Sequence, residues 1–345
     1  MIKDTYNRKI DYMRISITDR CNLRCKYCMP EDIDFVPHEN ILRYEEFLRL
    51  TKIFAAFGIR KIKVTGGEPL VRNGCADFMK QLKEIDGIEN VTITTNGVLL
   101  DRYLPELIAA GVDGINISLD SLRRDRYAKI TGRDEFDRVW SGIEDAVAAG
   151  LKVKLNCVPI QEHNADEIPD FFELARKRKI DVRFIEMMPI GNGKRFQPVS
   201  TEDILADFQK RYEGVYEIQQ KRGNGPATYY ENKDFAGCIG FIGAVHQKFC
   251  DSCNRIRLTS EGFLKLCLYY SQGIDLRAML RGGADDAQIG AAIAEAIRQK
   301  PQEHHFSCQI LQTEDNSCDA KSQTVVPVGE VFDGEDVRNM SQIGG

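Results

Sequence analysis

From the first cysteine to about residue 188, short β-branched runs alternate with longer segments in which apolar residues recur every three or four positions. Residues 12–18, 61–65, 91–94, 114–119, 153–158 and 182–186 read as strands. Residues 44–57, 75–85, 136–149 and 167–178 read as amphipathic helices, with Gly58 and Gly150 as helix stops. This βα rhythm predicts a parallel sheet. The strand ends then read Thr65-Gly66-Gly67-Glu68, Thr94-Thr95-Asn96, Ser118-Leu119-Asp120, Asn156 and Glu186-Met187-Met188. One polar strand end only opens a loop. Recurrence along one edge marks the rim at which barrels and open α/β sheets bind ligands, so the expected fold is α/β, a partial (β/α)6-type barrel with its site at the top.

Past Gly191 the pattern changes. Ser200 is placed to cap a helix over residues 201–211, and the chain then turns repeatedly through Arg222-Gly223-Asn224-Gly225-Pro226. Residues 255–259 and 263–269 read as a hairpin, which sets Cys267 opposite Arg255 and near Cys253, and residues 285–299 as a further helix. These segments predict a smaller C-terminal α+β region closing the barrel opening. Residues 302–335 are polar and weakly patterned, an expected mobile or loosely packed stretch before Ile343-Gly344-Gly345. The expected division is 1–190, a barrel core; 191–300, a C-terminal region; and 301–345, a polar segment and tail.

Length changes this picture little, since 345 residues suit two domains or one α/β barrel. No apolar stretch approaches the roughly 20 residues of a membrane helix, and Met1-Ile2-Lys3-Asp4-Thr5-Tyr6 lacks the apolar region of a secretory signal, so a cytoplasmic protein is expected. A net charge of −5 argues against a nucleic-acid footprint, though not against one small anion held by local Arg and Lys. Eleven cysteines are many for a reducing compartment and point to metal or redox chemistry. Cys21, Cys25 and Cys28 form one group; Cys250, Cys253 and Cys267 form another. Cys75, Cys157, Cys238, Cys308 and Cys318 are scattered and read as small buried or incidental thiols.

Cys21-Asn22-Leu23-Arg24-Cys25-Lys26-Tyr27-Cys28 follows the first strand directly. Three thiolates in eight residues suit three corners of a four-iron cluster, leaving one iron open to a small molecule. A zinc site completed by His38 or a distant cysteine is the plainer rival. The CxxxCxxC spacing resembles the radical S-adenosylmethionine superfamily, with Gly66-Gly67-Glu68-Pro69 where that family keeps its motif for the methionine amino group. The resemblance implies a 4Fe-4S cluster on Cys21, Cys25 and Cys28, reductive cleavage of S-adenosylmethionine, and Tyr27, Gly67, Ser118 and Met188 around that cofactor.

Cys250-Asp251-Ser252-Cys253 with Cys267 again gives three thiolates, and on spacing alone a structural zinc site recruiting Cys238 or His246 competes evenly with a cluster. Arg255 and Arg257 tip the balance, because two cations facing one way on a strand suit a polyphosphate and serve no structural zinc. Cys253-Asn254-Arg255-Ile256-Arg257, Cys267 and the closing Gly-Gly resemble the GTP 3′,8-cyclase family of molybdenum-cofactor biosynthesis, nearly end to end. That resemblance implies a second 4Fe-4S cluster and GTP contacts at Arg14, Lys63, Thr94, Lys154, Arg255 and Arg257. Arg255 and Arg257 would also stabilise developing charge in catalysis. Lys63 departs mildly from the family's frequent Arg, keeping the charge without the bidentate fork. It further implies a Gly-Gly tail threading into the site. The expected partners are a one-electron donor and the downstream cyclic pyranopterin monophosphate synthase, with a homodimer allowed. Two alternatives stay open: a radical enzyme acting on a peptide, and a non-enzymatic zinc-stabilised binding protein.

Overall fold

A computed structural model of the chain describes residues 2–30, 32–220, 222–306, 334–336 and 338–343. Six parallel strands form its centre: β1 (Tyr12–Ser16), β2 (Lys61–Thr65), β3 (Asn90–Thr95), β4 (Gly114–Ser118), β5 (Val153–Cys157) and β6 (Asp181–Ile185). The helices α1 (Tyr44–Ala56), α2 (Cys75–Lys83), α3 (Leu100–Ala109), α4 (Arg124–Thr131), α5 (Phe136–Ala148) and α6 (Ile168–Lys177) lie between them in sequence. Gly58 and Gly150 end α1 and α5 at φ of 103° and 77°, a left-handed turn that costs a glycine nothing.

Every central strand alternates in polarity. Met13 and Ile15, Ile62 and Val64, Val91 and Ile93, Leu155, Val182 and Phe184 are fully buried in one continuous core with the apolar faces of the helices, such as Phe47, Leu50 and Phe54 of α1. Their sequence neighbours Arg14, Lys63, Thr92, Thr94, Asn116, Ser118, Lys154, Asn156 and Arg183 line a cavity on the opposite face of the sheet. The sheet thus has an apolar exterior under helices and a polar interior, the inverse of a barrel filled by its own side chains.

The C-terminal half supplies α7 (Thr201–Arg211), the hairpin strands β7 (Tyr216–Glu217) and β8 (Thr228–Glu231), then β9 (Ile239–Ile242), β10 (Arg255–Leu258), β11 (Phe263–Lys265), β12 (Gly273–Asp275), α8 (Leu276–Arg281), α9 (Asp286–Arg298) and the short α10 (Met340–Ile343). Its strands join the same sheet at both edges. β10 pairs parallel to β1 and β9 parallel to β6, giving the order β12-β11-β10-β1-β2-β3-β4-β5-β6-β9-β8-β7 without closure. The fold is therefore a partial barrel extended on both flanks. Ser200 caps α7 by accepting from the Glu202 amide at 3.1 Å, and Asp285 with Gln288 forms a reciprocal box at the start of α9. Phe172 of α6, Phe208 of α7, Tyr212 just past its end, and Phe235 pack in tilted and edge-to-face pairs with centroids 4.9–5.4 Å apart, which fixes this half against the barrel.

Four helices are absent from the sequence reading: α3 with Pro105 inside it, the eight-residue α4, half of whose residues are charged, and the short α8 and α10. No helix among the described residues is long and apolar enough to cross a membrane. Cys308, Cys318, most of residues 302–335 and the Gly344-Gly345 tail lie outside the described residues.

Candidate active site

The polar strand ends converge on one cavity of about 990 Å³. The first cysteine group enters it from the loop after β1, and that loop is seated on the glycines after β2. The Gly67 amide donates to the Thr18 carbonyl at 2.7 Å and the Glu68 amide to the Arg20 carbonyl at 2.8 Å. A Cβ on Gly66 would lie 2.7 Å from the Thr18 oxygen, and one on Gly67 2.5 Å from the Arg20 oxygen. Both approaches demand glycine. Glu68 itself does not reach the cavity. Fully buried, its carboxylate accepts from the Leu70 amide (2.9 Å), the Thr95 hydroxyl (2.8 Å) and the Asn96 amide (2.6 Å), while burial pushes its pKa up to about 7. Asn96 then donates to Asn22 Oδ1 at 2.7 Å and approaches Cys21 Sγ at 3.6 Å.

Cys21, Cys25, Tyr27, Cys28, Gly67, Ser118 and Met188 all line the cavity. Tyr27 donates to Asp120 at 2.7 Å, and the other Asp120 oxygen takes the Val158 amide at 2.9 Å. Burial, then the charge of neighbouring groups, raises Cys21 to about 11 and Cys28 to about 12 and holds Cys25 well above a free thiol. Such thiols ionise only against a bound positive centre. The buried Asn156 Oδ1 has no hydrogen-bond partner and stands at the same cavity, a free acceptor for a bound molecule. His38 lies exposed in the turn His38–Asn40, outside the cavity lining.

Along the strands that line the cavity the register builds a belt of cations. Arg14 is paired in register with Arg257 of β10 on one side and Lys63 of β2 on the other. Arg255, Lys154 and Arg183 complete it, with Thr94 between. Lys154 is held by Asp181 at 3.3 Å, by the Tyr229 hydroxyl at 3.0 Å and by the Arg222 carbonyl; Arg183 donates to Asn116 at 2.5 Å. Burial, then the like charges of Arg183, Arg14 and Lys154, drive the Lys63 pKa well down; burial, then Arg14 and Arg255, do the same to Arg257. Cations crowded against one another in a dry site are the complement of a multiply charged anion. Arg183 and Asn116 belong to this belt and were not singled out from the sequence. The period-two alternation of β4 and β6 was their signal, and a single charge in an apolar strand hid it.

The second cysteine group sits beside the belt, just outside the cavity lining. Cys250 and Cys253 share a tight turn, the Cys253 amide donating to the Cys250 carbonyl at 3.0 Å. The β10–β11 register, Arg257 with Lys265, extrapolates to Arg255 opposite Cys267, as the hairpin reading required. Burial alone would raise the Cys253 thiol, but Lys300 and Arg255 outweigh it and bring it to about 6. Neither proposed zinc partner joins the group. Cys238 immediately precedes β9, its amide donating to Asp181, and His246 is bound to Glu186. Among the described residues no three Cys, His, Asp or Glu side chains close around a single metal-ion position. Cys75, Cys157 and Cys238 are buried, each 2% exposed or less.

Comparison with known proteins agrees with this layout. Residues 15–175 match the Radical SAM superfamily and residues 180–306 the family Molybdenum Cofactor Synthesis C. Streptococcus suis SuiB bound to S-adenosylmethionine shares the fold, with a TM-score of 0.58 at 15% identity over 82% of this chain and 67% of that one. The GTP 3′,8-cyclase of Clostridium perfringens strain SM101 is 45% identical over 306 residues, and that of Heliobacterium modesticaldum 48% identical over 308. These alignments cover 88% of this chain and 95% and 94% of the two relatives. On identity of this extent, with both of its halves matched, the chain belongs to the GTP 3′,8-cyclase family.

Proposed function

We propose that Cys21, Cys25 and Cys28 hold one 4Fe-4S cluster, that Tyr27, Gly67, Ser118 and Met188 contact S-adenosylmethionine beside it, and that Cys250, Cys253 and Cys267 hold a second cluster. The protein is a radical S-adenosylmethionine enzyme, a GTP 3′,8-cyclase that converts GTP to (8S)-3′,8-cyclo-7,8-dihydroguanosine 5′-triphosphate in molybdenum-cofactor biosynthesis. When bound, the cluster and S-adenosylmethionine together supply the reductive cleavage that yields a hydrogen-abstracting radical.

The observation that carries the residue assignments is the cation belt of one cavity, with the first cysteine group in its lining and the second following directly into Arg255 of the belt. Arg14, Lys63, Lys154, Arg255 and Arg257, with Thr94, bind the triphosphate and fix the nucleotide along the cavity; Arg183 joins them. Burial makes each charge-assisted contact stronger than in water. Arg255 and Arg257 stabilise negative charge that develops on the nucleotide during ring closure. The Asp120–Tyr27 and Glu68–Asn96 hydrogen bonds orient the first cysteine loop. Residues 1–190 act as the barrel core and 191–300 as the region carrying the second cluster. The enzyme works in the cytoplasm, takes electrons one at a time from a cellular donor, and passes its product to cyclic pyranopterin monophosphate synthase.

Release of 5′-deoxyadenosine by the anaerobically reconstituted, reduced protein tests this reading. Strong stimulation by GTP is expected. Release that ignores GTP overturns the substrate, and Cys25→Ala protein that still releases it overturns the first cluster site.

A further inference from the structure

Beside the second cysteine group lie two buried cations that the nucleotide belt does not use. Lys300, just past α9, is 3% exposed, and its ammonium donates to the carbonyl of Leu266, the residue before Cys267. Among the described residues it forms no ion pair with a carboxylate. Arg8 is buried too, but its charge is matched by Asp4 at 2.6 Å. Its remaining N–H groups donate to the carbonyls of Cys250 (2.9 Å), Pro301 (2.6 Å) and Gln302 (2.6 Å). Asn254, next to Cys253, donates to Asp11 at 2.6 Å. Three segments distant in sequence, 4–12, 250–267 and 300–302, are thereby clasped around the three thiols.

An ammonium removed from water and given only a neutral carbonyl is costly unless an anion stands near. The sulfurs of the second cysteine group supply that anion once a cluster is bound: Lys300 holds the carbonyl next to Cys267, and Arg8 ties the Lys300 carbonyl (3.5 Å) to that of Cys250 (2.9 Å). Resting on the assignment of a second cluster to these cysteines, we propose that Lys300 is its fixed counter-cation. Arg8 holds the Lys300 segment and the Cys250 backbone together. Lys300 anchors the Cys267 side and stabilises the more negative, reduced form of the cluster, which raises its reduction potential. Lys300 touches no substrate atom and is a positioning residue.

The test is a reductive titration, followed by electron paramagnetic resonance, of full-length reconstituted wild type, Lys300→Gln and Lys300→Arg, with iron and acid-labile sulfide counted in each. The second cluster's signal is assigned as the one persisting in Cys25→Ala protein. Gln keeps a donor for the Leu266 carbonyl and loses the charge; Arg keeps the charge. The expected result is a second-cluster midpoint shifted to more negative values, or loss of one cluster's iron, in Lys300→Gln, with Lys300→Arg close to wild type. Wild-type content and midpoint in Lys300→Gln overturns the counter-cation, as does equal loss in both variants. A wild type that holds iron for one cluster only overturns the second cluster itself, a separate failure visible before any variant is compared.

Discussion

Gly67 has no room to vary. The 2.5 Å approach of its would-be Cβ to the Arg20 oxygen means that Gly67→Ala must displace the cysteine loop rather than a flexible side chain. We expect overpacking of about 1–3 kcal/mol together with weakened S-adenosylmethionine binding, readable by chemical denaturation and by equilibrium dialysis. The neighbouring Glu68 carries a different lesson. The motif Gly-Gly-Glu is plain in the sequence, yet what the carboxylate does is not, because its partners Leu70, Thr95 and Asn96 include a strand end nearly thirty positions away. Arg257 was legible as half of an Arg-x-Arg pair, whereas its position beside Arg14 depends on a parallel pairing no local pattern encodes. Arg257→Ala should raise the KM for GTP roughly 10- to 100-fold, the range of one charge-assisted contact, while GTP-independent cleavage of S-adenosylmethionine persists. An unchanged KM removes Arg257 from the belt.

At the scale of elements, all six central strands and the longer helices follow from periodicity, with ends within about two residues. α3 and α4 did not, since Pro105 breaks the first pattern and charge hides the second. How elements are tied together was also beyond the sequence. Glu46 in α1 accepts the Arg43 amide at 2.7 Å and pairs with Arg281 of α8 at 2.9 Å, and the Arg281 hydrogen bond foremost lowers its pKa below the ordinary 4.5. With a depressed folded-state pKa, this contribution is fully present above pH about 4.5 and is lost as pH falls through the folded value. Glu46→Gln should therefore lower the melting temperature at pH 7, and the gap to wild type should shrink as pH drops below 4.5; a constant gap contradicts the coupling. Phe172 bridges Phe208, Tyr212 and Phe184. Phe172→Ala should cost about 3–5 kcal/mol in denaturant unfolding, loosening the join of α6 to α7.

The whole molecule combines a net charge of −5 with an interior belt of cations, so total charge misleads about the ligand while its distribution suits a polyanion. The α/β class, the site at the strand ends and both cysteine groups were readable from the chain. The extension of the sheet at both edges by β9 and β10 was not, because one short strand and one hairpin arm carry no signal of which distant edge they join. That extension nonetheless brings Arg255 and Arg257 into the lining of the cavity that also holds Cys21, Cys25 and Cys28. On the proposed function, this single cavity holds GTP with its ribose C3′ open to the radical generated at the first cysteine group. Joining C3′ to C8 requires loss of the C3′ hydrogen, so the most direct measurement is turnover of GTP deuterated at C3′, with mass analysis of the 5′-deoxyadenosine released. Deuterium carried into 5′-deoxyadenosine is the predicted result; unlabelled 5′-deoxyadenosine formed alongside cyclised product would contradict it.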